Sequence, residues 1–237
     1  MIYAGIVAGG VGKRFGGDIP KQFLPLGNKP ILVHTVEKFL LCQRIDSICV
    51  GINENWVSYA KDIFYKYGLT DERIIVSIGG NTRNDTIMNI ISTIENKFGI
   101  LDDDIIITHD AVRPFVSLKI IGDNISAAKK FGACDTVVCA NDTIVKSDKN
   151  QTEIEEIPNR NFMFLGQTPQ SFNMKKLKLL FEKISDENKN NLTDACKIFT
   201  INNEKVKLVK GEFSNFKITT QIDYKIAQTL IQNNKPT

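Results

Sequence analysis

The chain begins with IYAGIVA, Ile2–Ala8, and runs straight into GGVGKRFGGDIPKQF, residues 9–23. An uncharged run of that kind suits a strand covered on both faces, as in a parallel sheet. The loop after it spends five glycines, three cations and a proline on fifteen residues. Glycine lets a backbone approach a ligand closely and turn several N–H groups inward. In open α/β sheets, ligands bind beyond the carboxyl ends of the strands. Strand and loop together predict an α/β fold with its site at the end of the first strand.

Working outward, short apolar runs alternate with segments of helical period. Strands are predicted at Ile2–Ala8, Ser47–Ile52, Ile74–Ile78, Ile105–Thr108 and Thr136–Ala140. Leu32, Val36, Phe39 and Leu40 share one helix face, and Trp56, Ala60, Ile63 and Tyr67 a second. Ile87, Ile90, Ile91 and Ile94 make a third, and Ile120, Ile121, Ile125 and Ala128 a fourth. This order predicts a Rossmann-like, mostly parallel sheet flanked by helices. The rhythm breaks at Lys146, where SDKNQTEIEEIPNR (147–160) is polar and acidic. Residues 1–237 therefore read as one domain with an excursion at about 146–165. Helices follow near Met174–Ile184, Leu192–Phe199 and Asp223–Ile231, and strands at Val206–Val209 and Phe216–Thr219.

The formal net charge is +3, from 30 basic and 27 acidic side chains. That balance argues against nucleic acid or a membrane surface as the partner. No apolar run approaches the ~18 residues that span a bilayer, and no basic leader precedes an apolar stretch. The five cysteines form no C-x-x-C pair and no metal-ligand spacing. Of the five, Cys42, Cys49, Cys134, Cys139 and Cys196, four lie in apolar stretches, and buried thiols are the expected reading. A reducing cytoplasm is the expected setting.

The opening loop admits several readings. A dinucleotide fingerprint, G-x-G-x-x-G, lacks its third glycine. A Walker A loop fails because Arg14 follows Gly12-Lys13 where Ser or Thr is required. A looser loop that wraps a nucleoside triphosphate, with Arg14 and Lys21 supplying charge, competes with a flexible turn of solvated cations. The P-K-Q segment, a rigid turn presenting Lys21 just before an apolar residue, favours the triphosphate.

The loop AGGVGKRFGGDIPKQF resembles the signature of the cytidylyltransferase family that makes CDP-activated alcohols. The resemblance continues through GGNTRNDTI (79–87), THDAVRPF (108–115), NDTIV (141–145), NRNFMFLGQTPQSF (159–172), LTDACKIF (192–199) and NFKITT (215–220). It spans nearly the whole chain in one order. It implies a nucleotidyltransferase-type fold with a protruding dimerisation arm. It also implies attack by a polyol phosphate oxygen on the α-phosphorus of CTP, with loss of pyrophosphate. Such a step rests on positioning and charge neutralisation rather than a covalent intermediate.

The resemblance assigns roles by position. Lys21, Arg14 and Lys217 are the catalytic cations around the triphosphate. Ala8, Gly9, Gly10, Gly12, Gly80, Arg83, Thr86 and Asp110 bind the nucleotide. The family often has Asp where Asn81 stands. Asp110 would also ligate Mg²⁺, which takes one or two carboxylates plus phosphate oxygens; read alone, it equally suits a turn. Asp85 and Thr86 suit helix caps as well. Arg113, Thr143, Arg160 and Thr168 belong to the acceptor, Arg160 because its planar fork pairs two phosphate oxygens. Otherwise Arg113 pairs with Asp110, and Arg160 with Glu155 or Glu156. The arm implies a homodimer in which each subunit reaches its partner's site.

Two branches fit. Methylerythritol phosphate enzymes show a Trp before T-P-Q, then TDEAS, and an Asp where Ser214 stands. The stretches at 159–172 and 192–199 look more like the ribitol-5-phosphate cytidylyltransferases. The expectation is therefore CDP-ribitol synthesis, for teichoic acid or a related cell-surface polymer. The methylerythritol enzyme of isoprenoid synthesis is the alternative. Ribitol would permit association with a ribulose-5-phosphate reductase. A glycosyltransferase-like domain would place D-x-D after a central strand, whereas Asp102–Asp104 precede one and read as a solvated turn. A non-catalytic subunit would be expected to lose Lys21 or Asp110, and both stand.

Overall fold

The computed structural model describes residues 1–10, 19–190, 192 and 194–233. In chain order the elements are β1 Ile2–Ala8, β2 Pro25–Leu26, β3 Lys29–Pro30, α1 Ile31–Leu40, β4 Ser47–Ile52, α2 Val57–Lys66, β5 Ile74–Ile78, α3 Arg83–Phe98, β6 Ile105–Asp110, α4 Leu118–Phe131 and β7 Ala133–Cys139. Then come β8 Lys146–Ser147, β9 Ile154–Glu156, β10 Phe164–Asn173, α5 Met174–Glu182, α6 Asp186–Asn190, α7 Cys196–Ile201, β11 Lys207–Lys210 and α8 Gln221–Asn233. The seven-stranded sheet runs β11-β7-β10-β6-β1-β4-β5. All its ladders are parallel except the two made by β10, which is antiparallel to β6 and β7.

Register brings the carboxyl ends of the central strands to one edge. Ala8 stands beside Ile52, and Val7 beside Asp110. The chain segments leaving β1, β5 and β6 therefore open on the same rim. Alternation along β1 explains the two-sided cover: Ile2, Ala4, Ile6 and Ala8 pack with α1, α2 and α4, whereas Tyr3 packs with α3, α5 and α7. Each fully buried Ile or Leu contributes about 1.5–3 kcal/mol relative to exposure. A third cluster, Leu26, Ile31, Val112, Ile218 and Ala227, joins β2 and α1 to α8 beneath that rim.

Three expectations are corrected. Phe216–Thr219 is not a strand; its ladder contact is one bond from the Ile218 amide to the Val112 carbonyl, 3.0 Å. The predicted sequence missed β10, because FLGQTPQSFN carries Gly, Gln and Pro, and its register shifts between Gly166 and Gln170. β10 begins with Phe164 and Leu165, which pair with Cys139 and Val138 near the expected end of the excursion. Asp104 is not a solvated residue but 1 % exposed, accepting from the Leu101 amide at 2.9 Å. Cys42, Cys49, Cys134 and Cys196 are buried, and Cys139 is exposed. No helix among the described residues is long and apolar enough to cross a membrane.

Candidate active site

A cavity of about 260 Å³ opens on the rim. Ala8, Gly9, Gly10, Lys21, Gly80, Arg83, Thr86, Asp110 and Lys217, drawn from four separate motifs, all line it. Gly12 and Arg14 lie outside the described residues.

Asp110 is the only acidic side chain among the described residues lining the cavity. Lys217 Nζ stands 2.9 Å from its Oδ2, Arg83 Nε donates to its Oδ1 at 3.1 Å, and Arg113 Nε lies 3.6 Å away. Burial would raise the pKa of such a carboxyl, but Arg83, Lys217 and Arg113 outweigh it and hold it well below the usual carboxylate range. With Lys21 also on the cavity wall, cations outnumber the carboxylate. A polyphosphate suits such a surface.

The local chain explains why these groups converge. Lys21 opens a short 3-10 turn, Lys21–Phe23, after Pro20. Phe23 anchors that turn against Trp56 and Tyr59, with ring centroids 5.6 and 5.2 Å apart. Gln22 is 3 % exposed, and its Nε2 donates to the carbonyls of Ala8 (2.8 Å) and Gly10 (2.9 Å). Gln22 thus pins the start of the glycine loop, a role that sequence reasoning did not assign; the P-K-Q motif was its only signal.

Across the cavity, Thr82 caps α3 and exchanges bonds with Asp85 in a capping box. The cap is Thr82, not Thr86. The Thr86 hydroxyl donates to the Thr82 carbonyl at 3.0 Å and accepts from the Gly80 amide at 3.0 Å. A Cβ on Gly80 would meet the Asp85 Cβ at 2.3 Å, so only glycine fits there.

The acceptor candidates divide. Arg113 is buried, and its Nη1 donates to the Asn215 carbonyl at 2.8 Å. It ties the Asp110 turn to the segment carrying Lys217, the ordering role left open above. His109 Nε2 lies 3.1 Å from the Arg113 carbonyl, which only accepts, so we assign the ring proton to Nε2. His109 Nδ1 then accepts from the Thr168 hydroxyl at 3.0 Å, and the Thr168 oxygen accepts from the Asp110 amide at 3.1 Å. Burial pushes the His109 pKa down to about 4, keeping the ring neutral near pH 7. The Thr168 hydroxyl proton is therefore engaged inside the protein. Thr143 and Arg160 sit exposed at the base of the excursion, away from the cavity lining. Arg160 Nη1 donates to the Asn141 carbonyl at 2.9 Å, while Glu155 and Glu156 pair with Lys146.

Among the described residues, no group of three or more His, Cys, Asp or Glu side chains could hold a metal ion. Asp110 is the one carboxylate among the described lining residues that could meet a magnesium ion, which takes one or two carboxylates when other oxygens complete its shell. Behind Arg83 lies a polar cluster of Asp135, Gln170 and Asp194. Asp194 Oδ1 accepts from the Cys196 amide at 2.7 Å, just before α7, whose N-cap is Ala195. Asp135 and Gln170 were missed because only β10, the missed strand, unites them.

Comparison with known proteins matches this geometry to one family. A family model described as IspD, 2-C-methyl-D-erythritol 4-phosphate cytidylyltransferase, matches residues 2–233. The 4-diphosphocytidyl-2C-methyl-D-erythritol synthase of Anaerococcus prevotii is 30% identical, with 98% of each chain covered and a TM-score of 0.79. The 2-C-methyl-D-erythritol 4-phosphate cytidylyltransferase of Francisella tularensis is 30% identical, with 96% of this chain and 98% of that one covered and a TM-score of 0.78. The Thermus thermophilus enzyme, 22% identical with a TM-score of 0.71, covers 98% of this chain and 100% of that one and shares the fold.

Proposed function

From the premise that this chain belongs to the IspD family of CTP-dependent cytidylyltransferases, we propose that its acceptor is 2-C-methyl-D-erythritol 4-phosphate. An oxygen of the acceptor phosphate attacks the α-phosphorus of CTP. The bond from that phosphorus to the bridging oxygen breaks, and pyrophosphate leaves with the electron pair. The observation that carries this reading is the meeting of Lys21 and Lys217 around one cavity with Asp110, Gly9 and Gly10. Both lysines are placed to neutralise charge on the phosphoryl oxygens as the phosphorus gains its fifth oxygen. Gly9 and Gly10 let the triphosphate approach the backbone, and Gly80, Arg83 and Thr86 flank the nucleoside. Asp110 would hold magnesium together with triphosphate oxygens, and the ion would supply further charge neutralisation.

The acceptor assignment leans on the family description and on the relatives' printed names. Ribitol 5-phosphate is the second reading, favoured by the stretch at 159–172 and by Ser214 before Asn215. Pyrophosphate release from CTP with each acceptor, side by side, separates them. At least tenfold higher kcat/KM with methylerythritol phosphate is expected; the reverse preference makes ribitol the substrate. Lys21→Ala should lower kcat by a factor of roughly 10²–10³, as removal of one charge-stabilising donor does. A variant that turns over like the parent would remove Lys21 from the chemistry.

A further inference from the structure

Lys217 reaches the cavity from a stretch without regular structure: between β11 and α8, residues 211–220 form neither helix nor strand. Backbone groups in such a stretch have no ladder to satisfy or hold them. Two main-chain bonds tie it down at either side of Lys217. The Gly211 amide donates to the Val137 carbonyl at 2.8 Å, and the Ile218 amide donates to the Val112 carbonyl at 3.0 Å. Between those points side chains do the holding.

Two buried amides meet there. β10 leaves its register with β7 between Gly166 and Gln170, and Gln167 and Thr168 lie in that gap. Gln167 Nε2 donates to the Glu212 carbonyl at 2.9 Å, and Asn215 Nδ2 donates to the Thr168 carbonyl at 2.8 Å. A carbonyl only accepts, so each side-chain amide must turn its nitrogen toward it. The two side chains then face each other donor to acceptor, Asn215 Nδ2 to Gln167 Oε1, at 3.2 Å. The Asn215 main-chain amide closes a turn on the same Glu212 carbonyl at 3.0 Å. Its own carbonyl accepts from Arg113 Nη1 at 2.8 Å. Asn215 is thus joined to β10 on one side and to the Asp110 turn on the other. Both side chains are buried, and neither lines the cavity. Two residues further on, Lys217 Nζ stands 2.9 Å from Asp110 Oδ2.

We propose that Asn215 and Gln167 are positioning residues: their paired amides clamp the stretch before Lys217 to β10 and so fix where its ammonium stands beside Asp110. The inference rests on the reading that Lys217 neutralises charge on the reacting phosphoryl group. A lysine stem is flexible, and a fixed backbone origin limits where its charge can go.

The experiment uses Asn215→Ala, which removes both side-chain bonds, and Gln167→Met, which keeps the volume and removes the amide. Each is made alone and combined with Lys217→Ala. Pyrophosphate release gives kcat and KM for CTP, and thermal midpoints report folding. Asn215→Ala should lower kcat by a factor of about 10–100, the range that a misplacement of roughly 1 Å reaches. KM for CTP should change by less than about threefold. Gln167→Met should lower kcat in the same sense but less, because the Asn215 bond to Thr168 survives. Once Lys217 is alanine, neither change should lower kcat further, while any shift in midpoint should persist. Parental kcat in the folded variants overturns the proposal; if Asn215→Ala does not fold, Gln167→Met decides. An equal fractional loss with and without Lys217 also overturns it, because the amides then serve the fold at large. A parent that releases no pyrophosphate from CTP with either acceptor overturns the reading of the cavity, and this inference with it.

Discussion

Asp110 and Asp135 are both largely buried carboxyls, and their neighbours drive them in opposite directions. At Asp110 three cations win over burial. At Asp135 burial leads, the Gln170 bond opposes it, the Asp194 charge adds to it, and the pKa rises to about 6. In the unfolded chain Asp135 ionises near its ordinary value, so between roughly pH 4 and 6 the folded state binds the extra proton. Stability contributed by this site therefore falls as pH rises through that window. Asp135→Asn keeps an oxygen for Gln170 and removes the ionisation. It should stabilise the protein by ~3 kcal/mol in urea unfolding at pH 7.5 and by almost nothing at pH 4. An equal gain at both pH values would mean that Asp135 is not held protonated.

At the scale of elements, the site is a junction of segment ends, and α3 is its most tightly specified member. Gly80 lies against the first turn of α3, with Asp85 C at 2.8 Å and Thr86 N at 3.0 Å from the position of a Cβ. These are backbone atoms that cannot rotate away. Gly80→Ala should cost about 1–3 kcal/mol of stability and, by shifting Arg83, raise KM for CTP more than it changes kcat. Parental steady-state kinetics from a folded Gly80→Ala variant would show that the segment before α3 yields without disturbing Arg83. Much of this junction was legible in sequence, because parallel strands buried on both faces announce themselves and glycine-rich ends follow them. Lys21, Asp110 and Arg83 stand in segments that follow such strands, whereas Lys217, and the role of all four, came from family resemblance. Gln22 and Gln170 were not legible, since a buried amide bonding across strands leaves no periodic trace. β10 was hidden for a related reason: its Gly, Gln and Pro serve the site rather than a regular ladder.

At the scale of the whole molecule, two residues expected at the acceptor lie away from the cavity lining. Thr143 and Arg160 stand off the cavity, on an excursion that ends in the β8–β9 hairpin. The excursion exposes Ile154 by 63%, Ile157 by 58% and Phe162 by 74%. We propose that a second copy of the chain covers these large apolar side chains. A two-fold dimer would bury them against their counterparts and carry each Arg160 toward the other subunit's cavity. That arrangement predicts complementation. A Lys21→Ala homodimer and an Arg160→Ala homodimer should each be nearly inactive at subsaturating acceptor. Mixed with subunit exchange, half the dimers are heterodimers, and each has one site with both Lys21 and Arg160 intact. Activity should recover to roughly a quarter of the parental value if the sites are shared across a closed two-fold interface. If Arg160 instead acted on its own chain's cavity, no heterodimer would hold an intact site, and mixing would restore nothing. A fully active monomer in sedimentation velocity would exclude the shared site outright.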